Sequence, residues 1–128
     1  MEIIIGMQGK TDTLVEKADT ALEVGSGNLL VYATPCMVAL MEGAACEAIA
    51  DAIPEGKTTV GIELNLKHTA ATPVGMEVYA EAEVIAVDGN IITFAATAYD
   101  EAGKIGECTH KRAIVSSERF LEKTYAKL

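Results

Sequence analysis

Few residues of this chain have both the type and the setting to do chemistry. Glu42 is the first, inside TPCMVALMEGAACEAIADAI at residues 34–53. If that stretch is helical, at about 100° per residue Glu47 and Asp51 fall within roughly 40° of each other. Glu42 lies about 140° from the one and about 180° from the other. Glu47 and Asp51 then share a solvated edge. Glu42 is left among Val38, Ala39, Ala45 and Cys46, where a carboxylate needs a partner, a raised pKa or a chemical task. A structural hydrogen bond is the plainer reading. His68 is the second, opening His68-Thr69-Ala70-Ala71-Thr72-Pro73 at the end of a strand-like run. An imidazole there can serve as general base or acid near neutral pH, or be an ordinary loop side chain. In Cys108-Thr109-His110-Lys111-Arg112 an extended backbone puts His110 and Arg112 on one face and Thr109 and Lys111 on the other. Solvation is the plain reading of such a basic face.

Other chemistries find little support. Cys36, Cys46 and Cys108 have neither CxxC nor zinc spacing. They read as buried, inert thiols of a reducing compartment. Cys36 is the one to watch, because a helix start lowers thiol pKa. No GxSxG, P-loop, HExxH or EF-hand pattern occurs, so no metal or cofactor is implied. Gly25-Ser26-Gly27 is a bare GxG with no third glycine in register, weak as a phosphate loop. A net charge of −9 excludes the basic footprint that nucleic acid requires.

The elements that must position these residues follow from patterning. Residues 34–53 predict one long helix, with Thr34 suited to the N-cap and Pro35 to the first turn. Apolar residues run nearly all round it, which predicts burial on most sides. Residues 10–24 fit helix and strand alike, and two threonines tilt them to a strand. Residues 25–28 are a turn. Residues 58–67 alternate, with Val60, Ile62, Leu64 and Leu66 on one face. Residues 76–87 alternate with Met76, Val78, Ala80, Ala82, Val84 and Ala86 on one face. Hairpin signals at Val87-Asp88-Gly89-Asn90 and at residues 100–103 return the chain along 91–99 and 104–116. Residues 118–128 predict a short helix with Phe120, Leu121, Tyr125 and Leu128 inward.

With 128 residues, half of them hydrophobic, the chain is large enough for one domain, residues 1–128, with a real core. Strand, long buried helix, then antiparallel meander is an α+β pattern, and a curved sheet wrapped round one helix is the hot-dog arrangement. Its open edge predicts a homodimer. The start MEIIIG lacks the basic region and length of a signal peptide, and Pro35 and Glu42 argue against a membrane span. The chain therefore reads as soluble and cytoplasmic.

ATPCMVALMEGA, GIELNLKHTAATPVG and CTHKRAIV together resemble the fluoroacetyl-CoA thioesterase branch of the hot-dog thioesterases. The likeness runs from about residue 33 to residue 115, HTAATP being its most specific part. It implies an acyl-CoA thioesterase with a Thr34, Glu42 and His68 set. It further implies a backbone contact to the thioester at Gly61, Arg112 near the pocket, and a pocket at the subunit interface. Thr34, two turns before Glu42 in the same helix, could orient it. Coenzyme A is polyanionic, so a basic rim is expected from Lys57, Lys67, Lys111, Arg112 and Arg119. Fluorine selectivity in that family is tied to a phenylalanine-bearing lid before the central helix. Here Phe94 and Phe120 both come after it, and residues 25–33 carry only Tyr32 as an aromatic. The alternative function is a non-catalytic hot-dog module that binds acyl-CoA or another apolar ligand.

Overall fold

A computed structural model describes residues 2–128. Five strands form one antiparallel sheet: β1 Gln8–Leu14, β2 Lys57–His68, β3 Glu77–Asp88, β4 Ile91–Asp100 and β5 Gly103–Ser116. Three helices join them: α1 Ala21–Val24, α2 Thr34–Ile49 and α3 Ser117–Tyr125. A 3₁₀ turn, Ala50–Ala52, finishes the predicted 34–53 helix.

The strand order is β1-β3-β4-β5-β2. Only β3, β4 and β5 form the meander. β2 lies beyond β5 at an open edge, not beside β3, because residues 69–76 cross from one side of the sheet to the other. This crossing is tied down: Tyr32 N–H donates to the Thr72 carbonyl at 2.9 Å, and the buried Thr72 hydroxyl donates to Asp100 at 2.7 Å. Gly89, with φ of 60°, makes the first hairpin turn where a side chain would be strained.

α2 lies across the sheet through Met37, Leu40, Met41, Ala44, Ala45 and Ile49, the 3.6-residue spacing of one face. Each large side chain on that face contributes about 1.5–3 kcal/mol by leaving water. Gly9 of β1 lets the helix lie close, since a Cβ there would strike the Ala44 carbonyl and the Ala48 nitrogen. The helix is therefore not covered on most sides. Pro35, Ala39 and Cys46 are exposed on the far face. The apolar run thus includes a face that the sheet buries and a face that this chain leaves exposed.

Three further expectations are corrected. The strand predicted over residues 10–24 ends at Leu14. Beyond it, Glu16 and Asp19 cap a 3₁₀ turn reciprocally, and the Thr20 hydroxyl accepts from Glu23 N–H to start α1. Local side-chain bonds thus outcompete the ladder. In and just after α3, Phe120, Leu121, Tyr125 and Leu128 are exposed rather than inward, because that helix packs on the sheet only through its first turn, near the end of β5 and the Gly56 carbonyl. In β2, Ile62 is an extra, bulged residue: Gly61 pairs with Arg112 and Glu63 with Lys111. The bulge switches faces, so Thr59 and Gly61 point inward before it and Leu64, Leu66 and His68 after it. Ile62, placed by alternation with Leu64, is 52% exposed at the sheet edge. A second bulge at Ile85 does the same to β3, leaving Ala86 exposed while Val78, Ala80, Ala82 and Val84 stay buried.

Candidate active site

The predicted residues fall into two groups. The first sits where α2 starts. Ala33 takes the N-cap position and Thr34 is already helical, so the Thr34 hydroxyl is not spent on the cap. It meets His68 Nδ1 at 2.8 Å instead. His68 is the last residue of β2, and the chain after it is pinned by Thr69 and Ala70 N–H groups, both on the Ile105 carbonyl at 2.7 and 3.2 Å. Ile105 is itself the bulged residue of β5. The buried Nε2 of His68 finds no hydrogen-bond partner among the described residues. Burial lowers the His68 pKa, while a contact with the Ala70 backbone works the other way without closing a bond on Nε2. The ring is therefore held neutral at pH 7, the state a general base needs. A cavity of about 310 Å³ opens here, with Thr34, His68, Tyr32, Val31, Ala70 and Ala71 in its wall.

The second group sits where α2 crosses β2 and β5. Arg112, 7% exposed, donates from Nη1 to Glu42 Oε2 at 2.8 Å. Its Nε donates to the Thr59 hydroxyl at 2.9 Å and its Nη2 to the Thr59 carbonyl at 3.1 Å. Gly61 lies beneath the carboxylate, and a Cβ there would collide with Glu42 Oε2. Only glycine lets the acid lie over the strand. Glu42 is thus the partnered carboxylate the sequence demanded, bound through one oxygen and with its side chain 38% exposed.

Thr34 does not orient Glu42. Eight residues of helix separate them by about 12 Å, and the Thr34 hydroxyl is engaged by His68. Along β2, Gly61 and His68 are separated by about 20 Å of strand. No hydrogen bond joins the two groups among the described residues. Arg112 also leaves the basic rim, because it faces inward. Of the others, Lys67 and Lys111 pair with residues of the outer sheet face, and Lys57 and Arg119 line a groove at the far end of β2.

Sequence reasoning missed His110. It is 2% exposed, packs beside Phe94 with ring centroids 6.1 Å apart, and joins Arg112 through Nε2 at 3.2 Å. The signal was present: His110 shares a face with Cys108 as well as Arg112, and a face holding a buried cysteine is not solvated. Thr59 left no signal. Among the thiols, burial raises Cys36 and pushes Cys108 up to about 11, so the helix start does not activate Cys36. Cys46 is exposed, not buried.

A long helix across a five-stranded antiparallel sheet is the hot-dog fold of the thioesterases. A family profile described as fluoroacetyl-CoA-specific thioesterase matches residues 15–118. The chain is 38% identical over 97 residues to the fluoroacetyl-CoA thioesterase of Streptantibioticus cattleyicolor, covering 76% of this chain and 70% of that protein. A solved structure of a fluoroacetyl-CoA thioesterase superposes with a TM-score of 0.93 at 30% identity, covering 100% of this chain and 99% of the other. A variant of that enzyme solved with acetyl-CoA gives 0.92 at 30% identity over 98% of both chains. A thioesterase superfamily member from Thermus thermophilus gives 0.88 at 28% identity, over 98% of this chain and 92% of that one. The chain belongs to the fluoroacetyl-CoA-specific thioesterase family, and with it to the acyl-CoA thioesterases.

Proposed function

We propose that this protein hydrolyses short or medium acyl-CoA thioesters at a site completed by two copies of the chain. One observation carries the chemistry: Arg112 holds Glu42 by one oxygen over Gly61, so Oε1 remains free to react. Glu42 either attacks the thioester carbonyl or aligns the water that does. Where Glu42 aligns the water, neutral His68, steadied by Thr34, accepts the water's proton and returns it to the departing coenzyme A sulfur. Where Glu42 attacks, the sulfur leaves as the thiolate, and His68 then takes the proton of the water that opens the Glu42 anhydride and passes it to that thiolate. The thioester oxygen takes on charge in either case, and the Gly61 backbone is the donor we assign to it. The cavity of about 310 Å³ beside His68 suits a small acyl group. Coenzyme A-linked substrate and three unpaired cysteines favour the cytoplasm. Among the described residues, no helix is long and apolar enough to cross a membrane.

The dimer follows from the separation of the two groups and from unused surface. β2 is an open edge with Ile62 exposed on it, and the outer face of α2 exposes Pro35, Ala39 and Cys46. A strand pairing with its two-fold mate must run antiparallel to it. Such pairing can bring the His68 end of one β2 beside the Gly61 end of the other, and Glu42 with it.

Mixed dimers test this reading. Glu42→Gln and His68→Ala are each expected to be inactive as homodimers. Unfolded together and refolded, half their dimers are mixed and each mixed dimer has one intact site, so about a quarter of wild-type acetyl-CoA hydrolysis returns. No recovery, with mixed dimers shown by mass spectrometry, would put both residues to work within one chain and sink the shared site.

A further inference from the structure

We infer that His110 is a positioning residue for Glu42: a neutral imidazole, protonated on Nδ1, that fixes the Arg112 guanidinium and keeps one oxygen of Glu42 free. The inference rests on the reading of Glu42 as the reacting carboxylate.

The hydrogen bonds allow one tautomer. His110 Nδ1 lies 2.8 Å from the Glu63 carbonyl oxygen, which can only accept, so Nδ1 carries a hydrogen. Nε2 lies 3.2 Å from Arg112 Nη1, and a guanidinium can only donate, so Nε2 presents its lone pair. Both partners impose the same neutral ring. A second proton on Nε2 would face the guanidinium hydrogen. That excludes His110 as a general acid, although Glu42 Oε2 is only 3.8 Å from Nε2.

The consequence falls on Arg112. Its Nη1 has two hydrogens; one goes to Glu42 and the other to His110. Nε and Nη2 are spent on Thr59. The guanidinium is thus bound on every side except one N–H. Arginine opposite a carboxylate tends toward two parallel bonds, one to each oxygen. His110 opposes that by taking the second Nη1 hydrogen. Without this acceptor, a buried donor is orphaned and the fork turns to take Oε1 as well, removing the oxygen that reacts. The register break at Ile62 lies beside this arrangement, immediately before the Glu63 carbonyl that orients the ring.

Two substitutions separate positioning from simple packing. In His110→Gln the amide oxygen reaches the place of Nε2 and can accept from Arg112. In His110→Asn the shorter amide reaches only the place of Nδ1 and keeps the bond to Glu63. Positioning predicts that kcat on acetyl-CoA falls about 10–100-fold in His110→Asn, by analogy with the loss when the hydrogen-bond partner that orients a metal ligand is removed. KM should stay nearly constant, and His110→Gln should retain most of kcat. Equal losses in both, tracking their melting temperatures, would overturn the inference, as would wild-type kcat in His110→Asn. Nitrogen-15 NMR of labelled histidine decides the hydrogen-bond scheme without any turnover. A proton on Nδ1 alone at pH 7 supports it, and a proton on Nε2 overturns it. A wild-type protein inactive on every acyl-CoA would instead remove the reading of Glu42, with the nitrogen spectrum still deciding the scheme.

Discussion

Glu42 and His68 lie in opposite settings. Around Glu42 the polar groups are paired within one chain: Arg112 reaches Thr59 and Glu42, and His110 is bound at both nitrogens. Around His68 only Nδ1 is engaged, and Nε2 is buried without a partner among the described residues. The surfaces differ in the same way. Glu42 lies over Gly61 of β2, with Arg112 of β5 bound to its carboxylate. His68 borders the segment before α2, where Leu29 is 68% and Leu30 50% exposed. One half of the site is organised by the fold of a single chain. The other has polar and apolar groups that this chain leaves uncovered.

The comparison breaks most visibly through Glu42. Glu42→Gln should lower kcat at least about 100-fold, and His68→Ala should do the same, with circular dichroism unchanged. Near-wild-type turnover in either would remove that residue from the chemistry. Gly61→Ala is expected to follow, because its methyl group occupies the place of Glu42 Oε2. The acid must leave Arg112 or the bulge must shift, so we expect kcat to fall about 10-fold or more, together with a loss of about 1–3 kcal/mol for an overpacked site. A Gly61→Ala enzyme with native kcat and melting temperature would show that the carboxylate is not confined there.

pH sharpens the same contrast. Burial depresses the His68 pKa below the ordinary 6.5, so the folded chain binds this proton less readily than the unfolded one. His68 therefore costs no stability above pH 6.5. Stability is lost as pH falls from there through the depressed folded value. Activity should likewise be retained at pH 7 and fall only below 6.5. An acid limb in kcat centred at or above 6.5, or an unaltered limb in a His68→Gln enzyme with residual activity, would contradict a neutral, buried base.

Much of this architecture was legible in the residues. The hairpin at Asp88-Gly89-Asn90, a helix beginning at Thr34-Pro35 (though with Ala33 rather than Thr34 as its N-cap) and the separation of Glu42 from the other acids all follow from local chemistry. The order of β2 did not, because a crossover loop looks like any other loop until Thr72 finds Asp100. Bulges were invisible for a related reason: Val60, Ile62, Leu64 and Leu66 alternate perfectly, and only pairing with β5 shows Ile62 to be extra. The same bulge sets Gly61 and Leu64 on one face and so builds the site. His110 was misread because basic neighbours were weighed by charge rather than by the face they share. Residue types named Glu42 and His68 without telling that they sit in separate halves.

The smallest effect expected is on the acyl group itself. Membership of a family named for fluoroacetyl-CoA does not by itself carry fluorine selectivity, which needs a surface that senses one atom. In this chain Tyr32 is buried at 2% and belongs to the core, so it is not an aromatic lid. The large side chains exposed in the segment before α2 are Leu22, Val24, Leu29 and Leu30, all aliphatic, and we expect any cover over His68 to come from them. Aliphatic cover can exclude water and fill space but has no ring edge to favour or reject a C–F dipole, and Tyr32 in the cavity wall is fixed by its burial rather than free to close on the acyl group. Discrimination by such a pocket is worth about 1–3 kcal/mol, or roughly 10–200-fold. We therefore expect kcat/KM for fluoroacetyl-CoA and acetyl-CoA to differ by less than about 200-fold, with propionyl-CoA still accepted. Introducing a ring at the lid, as in Leu29→Phe, should move the ratio more than any change around Glu42, because Glu42 meets both substrates at the same carbonyl. A native preference for fluoroacetyl-CoA above about 10⁴-fold, beyond what an aliphatic pocket supplies, would show that another part of the site reads the fluorine.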